Sequence, residues 1–114
     1  MARRIASVAV GAWLLLVLPV TTLAAPPPQA LTPEHRQRLH DLLVQDCGSC
    51  HGLRMTGGLG PRLTPEALAG KDRDSLEATV LHGRPGTAMP PWQGLLDQRE
   101  VAWMIDQLLQ GVEP

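Results

Sequence analysis

Cys47-Gly48-Ser49-Cys50-His51 sets two thiols three positions apart with an imidazole directly behind them, the pattern to which a c-type haem is attached. The spacing has a chemical reason. On one helical turn both sulfurs reach the two vinyl groups of a single porphyrin as thioethers, and the histidine that follows points its ring at the iron. Short patterns of this kind also occur in zinc proteins and thiol oxidoreductases, so the surrounding chain has to decide. A structural disulfide is a poor alternative, because a Cys47–Cys50 bridge closes a tiny loop and restricts the unfolded chain little. Thiol-exchange chemistry is expected near a βαβ pattern, and none is visible.

The chain of 114 residues opens like an export signal. Arg3 and Arg4 form a basic start, Ile5 to Leu18 is an apolar run, Pro19 breaks it, and Thr22-Leu23-Ala24 ends in small residues. Residues 1–24 are therefore expected to be a signal peptide cleaved after Ala24, which implies a periplasmic protein. The competing reading is an uncleaved anchor, since Ile5 to Ala25 approaches the roughly 20 apolar residues that span a bilayer; only in that case does the chain touch a membrane. Residues 25–30, with Pro26-Pro27-Pro28, read as an extended spacer.

The expected domain, 31–114, is small enough that a core made of its own side chains would be marginal. The chain has no Phe and no Tyr, and only Trp92 and Trp103 lie beyond the export segment. So few aromatics suggest that a non-protein group fills the centre. A porphyrin does so effectively, because burial stabilises by about 25 cal/mol per Å² of apolar surface. Removing Arg3 and Arg4 leaves 8 basic residues against 11 acidic ones, a net charge of about −3. With its basic residues scattered among acids, the chain lacks the cationic stripe that nucleic-acid binding requires.

Helix signals are clear along the domain. Thr32-Pro33-Glu34 reads as N-cap, first helical position and first-turn acid of a helix running towards Cys47, with Leu39, Leu42 and Leu43 as its apolar face. Thr64-Pro65-Glu66 repeats the signal for a short helix through Ala69, with Gly70 as terminator. Gly52 to Leu63 is loop by composition. A third helix is expected from Asp74 to His82, with Asp74 and Glu77 as a capping box and Gly83 as terminator. The last helix begins at Asp97 with Glu100 three residues on, carries Val101, Met104, Ile105, Leu108 and Val112 as one apolar stripe, and ends at Gly111. No segment alternates with period two, so no sheet is expected.

An iron held by His51 needs an open sixth site or a second axial ligand. Met55 follows His51 by four positions on the same side of the ring. Met104 belongs to the stripe of the last helix, and His35 and His40 read as surface histidines. Met89 and His82 remain. Met89 lies 38 residues beyond His51, enough chain to cross the porphyrin, and Pro90 and Pro91 stiffen the loop that presents it. His82, at a helix end, is the second candidate.

Taken together, the chain from Leu31 to Gln110 resembles the class I cytochromes c, in the order of N-terminal helix, Cys-x-x-Cys-His, Gly-rich loop, short helices, Met-Pro loop and C-terminal helix. Two segments, Asp46 to Pro61 and Gly83 to Trp92, look more narrowly like the small monohaem cytochromes c55x associated with the haem-d1-containing nitrite reductase of denitrifying bacteria. The resemblance implies an all-α fold of about four helices round one covalent haem c. It also implies thioether bonds at Cys47 and Cys50, axial ligation by His51 and Met89, and a Pro61 carbonyl accepting from the second imidazole nitrogen. Trp92, or Arg84, is suggested as a propionate contact.

The function implied is a monomeric one-electron carrier, not an enzyme, serving redox proteins such as that nitrite reductase. An accessory role in haem d1 maturation is the alternative. The chain departs from the family where the terminal helices cross. Leu39, Leu43 and Gln107 stand where a glycine and two aromatics are usual, and Trp103 falls opposite the apolar stripe, under a loop or at a docking surface.

Overall fold

The computed structural model describes residues 30–114. The expected signal peptide, and all of the spacer except Ala30, lie outside the described residues. Five α-helical segments follow one another: α1 Pro33–Leu42, α2 Gly48–His51, α3 Pro65–Leu68, α4 Arg73–His82 and α5 Gln98–Gln110. A single π-helical turn, Leu43–Cys47, joins α1 to α2, so the first two segments form one helical run and the fold is four helical pieces. No strand occurs among the described residues.

Each helix starts where local chemistry supplies an acceptor for its free amides. Thr32 accepts from the His35 amide at 3.2 Å, Thr64 from the Ala67 amide at 3.4 Å, and Asp97 from the Glu100 amide at 2.9 Å. In α5 the box is reciprocal, since a Glu100 carboxylate oxygen accepts from the Asp97 amide at 2.6 Å.

The expected box at α4 is absent. Asp72 is the true cap, accepting from both the Ser75 amide and hydroxyl at 2.8 Å. Glu77 instead turns inward, is 8% exposed, and accepts from Arg73 Nε at 2.9 Å. Arg73 also reaches Asp106 and, at 3.1 Å, the Ala102 carbonyl. The pull of that cross-helix cation outweighs the local cap, and one guanidinium latches α4 onto α5.

The core gathers Leu39 and Leu43 from the first run, Met55, Leu68 of α3, Leu96, and Val101, Met104, Ile105 and Leu108 of α5. The stripe read on α5 is thus its buried face, with Val112 half-buried beyond the helix end. Trp103, expected under a loop or at a docking surface, is half-buried. It lies beside α1 and lines a shallow hollow with Pro33, Arg36, Gln37, His40 and Gln107. His35 also differs from an ordinary surface histidine, because its Nε2 lies 2.6 Å from a Glu100 carboxylate oxygen and ties α1 to the start of α5.

Candidate functional site

The π turn ends at Cys47, and Cys50 and His51 follow on the next turn, α2. A π turn widens the helix by one residue, so it rotates these side chains relative to the apolar face of α1. No disulfide joins the two cysteines, and both are half-buried. Burial, and after it the neighbouring Asp46 carboxylate, pushes the Cys47 thiol up to about 11.

His51 is 8% exposed, and its Nδ1 lies 2.8 Å from the Pro61 carbonyl oxygen. That bond makes Nδ1 the donor and leaves Nε2 as the nitrogen with a free lone pair. The carbonyl is delivered by the Gly-rich loop. Gly57 donates to the His51 carbonyl at 2.7 Å and Gly60 to the Cys50 carbonyl at 2.8 Å, so the loop is sewn to the backbone of the motif itself. Gly60 lies against the imidazole; a Cβ there would stand 2.6 Å from His51 Cε1. Gly60 was not singled out from sequence, although its place directly before Pro61 in a Gly-rich run was the available signal.

Met89 is half-buried in a loop closed at its base. Its carbonyl accepts from the Arg84 amide at 3.1 Å, and the Trp92 amide returns to the Val80 and Leu81 carbonyls at 3.1 Å. A Cβ at Gly83, where φ is +67°, would meet the Pro90 carbonyl carbon at 2.6 Å, so the loop's two legs touch through that glycine. The Trp92 side chain packs against the core, while Arg84 and His82 are exposed.

These residues fit a haem. The donor set is two thiols, one imidazole with its second nitrogen engaged, and a thioether on a constrained loop. Met55 and Met104, the other methionines of the domain, are consumed by the core at 1% and 2% exposure. The apolar residues of α4 and its neighbours, Leu63, Leu76, Val80, Leu81 and Trp92, reach only half-burial against that core. Such a one-sided apolar surface suits a flat apolar group.

Comparison with known proteins agrees. A family model described as cytochrome c oxidase, cbb3-type, subunit III matches residues 34–106. The chain is 62% identical to cytochrome c55X of Stutzerimonas stutzeri over 96 residues, 84% of this chain and 80% of that protein. The chain belongs to the cytochrome c55X family. As a cytochrome c, it carries covalently bound haem c.

The solved structure of a c-type cytochrome NirC, 60% identical, superposes on this cytochrome with a TM-score of 0.70 and covers 73% of this chain and 99% of that one. A more distant relative is dihydro-heme d1 dehydrogenase of Pseudomonas aeruginosa, 37% identical over 70 residues, 61% of this chain and 14% of that much longer protein.

Proposed function

We propose that this cytochrome is a periplasmic, monomeric one-electron carrier that serves the nitrite reductase pathway of denitrification. In this reading Cys47 and Cys50 hold the haem through thioethers, and His51 and Met89 are its axial ligands. When bound, the haem supplies reversible one-electron chemistry between ferric and ferrous iron. The chain's residues set the conditions for it. Pro61 orients the His51 ring and raises its basicity, Gly60 leaves room for that ring, and the pinned loop from Arg84 to Trp92 holds the Met89 sulfur in place. With both axial positions taken by the chain, no site is left for a substrate. Histidine and methionine together raise the potential relative to a histidine pair.

The observation that carries this reading is the buried His51 ring, bonded through Nδ1 to Pro61, directly behind Cys47 and Cys50. Mixing the reduced protein with haem-d1-containing nitrite reductase and following its oxidation by stopped flow tests it. Oxidation within the turnover time of the reductase is expected, and none on that timescale would remove the assignment. Trp92 serves as a candidate propionate contact.

The likeness to a dihydro-heme d1 dehydrogenase favours one second reading, an accessory role in making haem d1. A strain lacking the cytochrome separates the two. A reductase fully loaded with d1 but starved of electrons supports the carrier, and a reductase short of d1 supports the maturation role.

A further inference from the structure

Met55 is the sole non-glycine residue with a positive φ, +56°, among the described residues. A left-handed backbone is disfavoured for any residue with a Cβ, and it persists only where the surroundings over-determine it. Glycine fills the neighbouring positions of this kind, Gly52 and Gly57, at φ of +87° and +102°. At position 55 a side chain is present, and it is 1% exposed in the core cluster. No other residue between Gly52 and Leu63 is fully buried.

The backbone of Met55 is tied on both sides. Its amide donates to the Gly52 carbonyl at 2.8 Å, and its carbonyl accepts from the Leu63 amide at 2.9 Å. Pro61 lies inside the loop closed by that second bond, with its own carbonyl on His51 Nδ1. The segment carrying the acceptor is therefore suspended from one buried anchor and from the backbone of the motif.

We propose that Met55 is a positioning residue for the His51 imidazole: its buried side chain pins the left-handed turn that holds the Pro61 carbonyl against Nδ1. The proposal rests on the reading of His51 as an axial ligand. Met55 does not touch the iron in this role; it sets the strength of the imidazole hydrogen bond and through it the basicity of the ligand.

The test uses the holoprotein and reads two quantities, solvent exchange of the His51 Nδ1 proton by NMR in the reduced state and the reduction potential. Met55→Ala risks the fold, so the decisive variant is Met55→Ile, which keeps apolar volume but is β-branched and resists a left-handed backbone. It is expected to speed Nδ1 proton exchange severalfold, since a β-branched residue tolerates a left-handed backbone less well than Met does, and to raise the potential as the ligand becomes less basic. Met55→Leu, unbranched at Cβ, restores both readouts towards wild type. Asp97→Ala, which weakens the fold at the start of α5, leaves both in place. Unmoved exchange and potential in Met55→Ile overturn the proposal alone. A wild-type protein whose mass shows no covalent haem overturns the functional reading beneath it.

Discussion

At the residue scale, the glycine beside the imidazole is as specific as the imidazole. A methyl group at Gly60 would lie 2.6 Å from His51 Cε1, closer than carbon atoms pack, so the ring must shift and its bond to Pro61 is lost. Gly60→Ala is expected to lower the covalent haem content per chain, or to give a haem of raised potential, as read by absorbance against protein concentration and by voltammetry. Gly70→Ala is the contrast. Nothing lies within 4 Å of its Cβ position, and only its φ of +75° opposes the change. A loss of about 1–2 kcal/mol in chemical denaturation, with an unaltered haem spectrum, is expected there. The Cys47, Cys50 and His51 motif is legible in the chain because its spacing is local. Gly60 and Met55 are not, because their roles depend on which ring and which core lie across the loop.

At the element scale, the start of α5 combines a reciprocal cap with a bond from α1. The Asp97 carboxyl is held below its usual value, first by the Glu100 amide and then by Arg99. Its native pKa is depressed, so the stabilisation is complete above the ordinary value and is lost as pH falls through the lowered one. Asp97→Ala is expected to cost about 1 kcal/mol at neutral pH, roughly 4–8 °C in a domain of this size, and the gap to wild type should close in thermal melts taken at increasingly acid pH.

Glu100 serves that cap with one oxygen and His35 of α1 with the other, each at 2.6 Å. Glu100→Ala should therefore destabilise more than His35→Ala. A double-mutant cycle by urea denaturation should return a favourable coupling of about 0.2–1 kcal/mol between them. Helix starts at Thr32, Thr64 and Asp97 were readable because a cap is satisfied within four residues. The start of α4 was misread by two positions because Glu77 answers to Arg73, and through Arg73 to α5, a partner that no local pattern reveals. The π turn was equally invisible, since Leu43 to Cys47 carries no breaker.

At the scale of the whole molecule, α5 is the floor on which α1, α3 and α4 rest, and most of the fully buried apolar residues sit on that side. The apolar residues of α4 and of the Met89 loop, by contrast, stop at half-burial or less. A domain this small buries too little of its own surface to be comfortably stable, so the haem is expected to be a structural member as well as the redox centre. Cys47→Ala/Cys50→Ala, purified without covalent haem, should show reduced helicity by far-UV circular dichroism and a broad, weakly cooperative melt. A sharp transition at the wild-type temperature would show that the polypeptide folds unaided.

What the chain determined by itself was the all-helical plan, three of the four principal helix starts and the Cys-x-x-Cys-His motif of a covalent haem, because caps, periodicity and thioether spacing act over a few residues along the backbone. The tertiary structure alone decided which carbonyl meets the imidazole, why a methionine occupies a left-handed turn, where Trp103 rests and which partner Glu77 takes. Those outcomes depend on packing between segments far apart in sequence, where a side chain's position is chosen by what lies across the core.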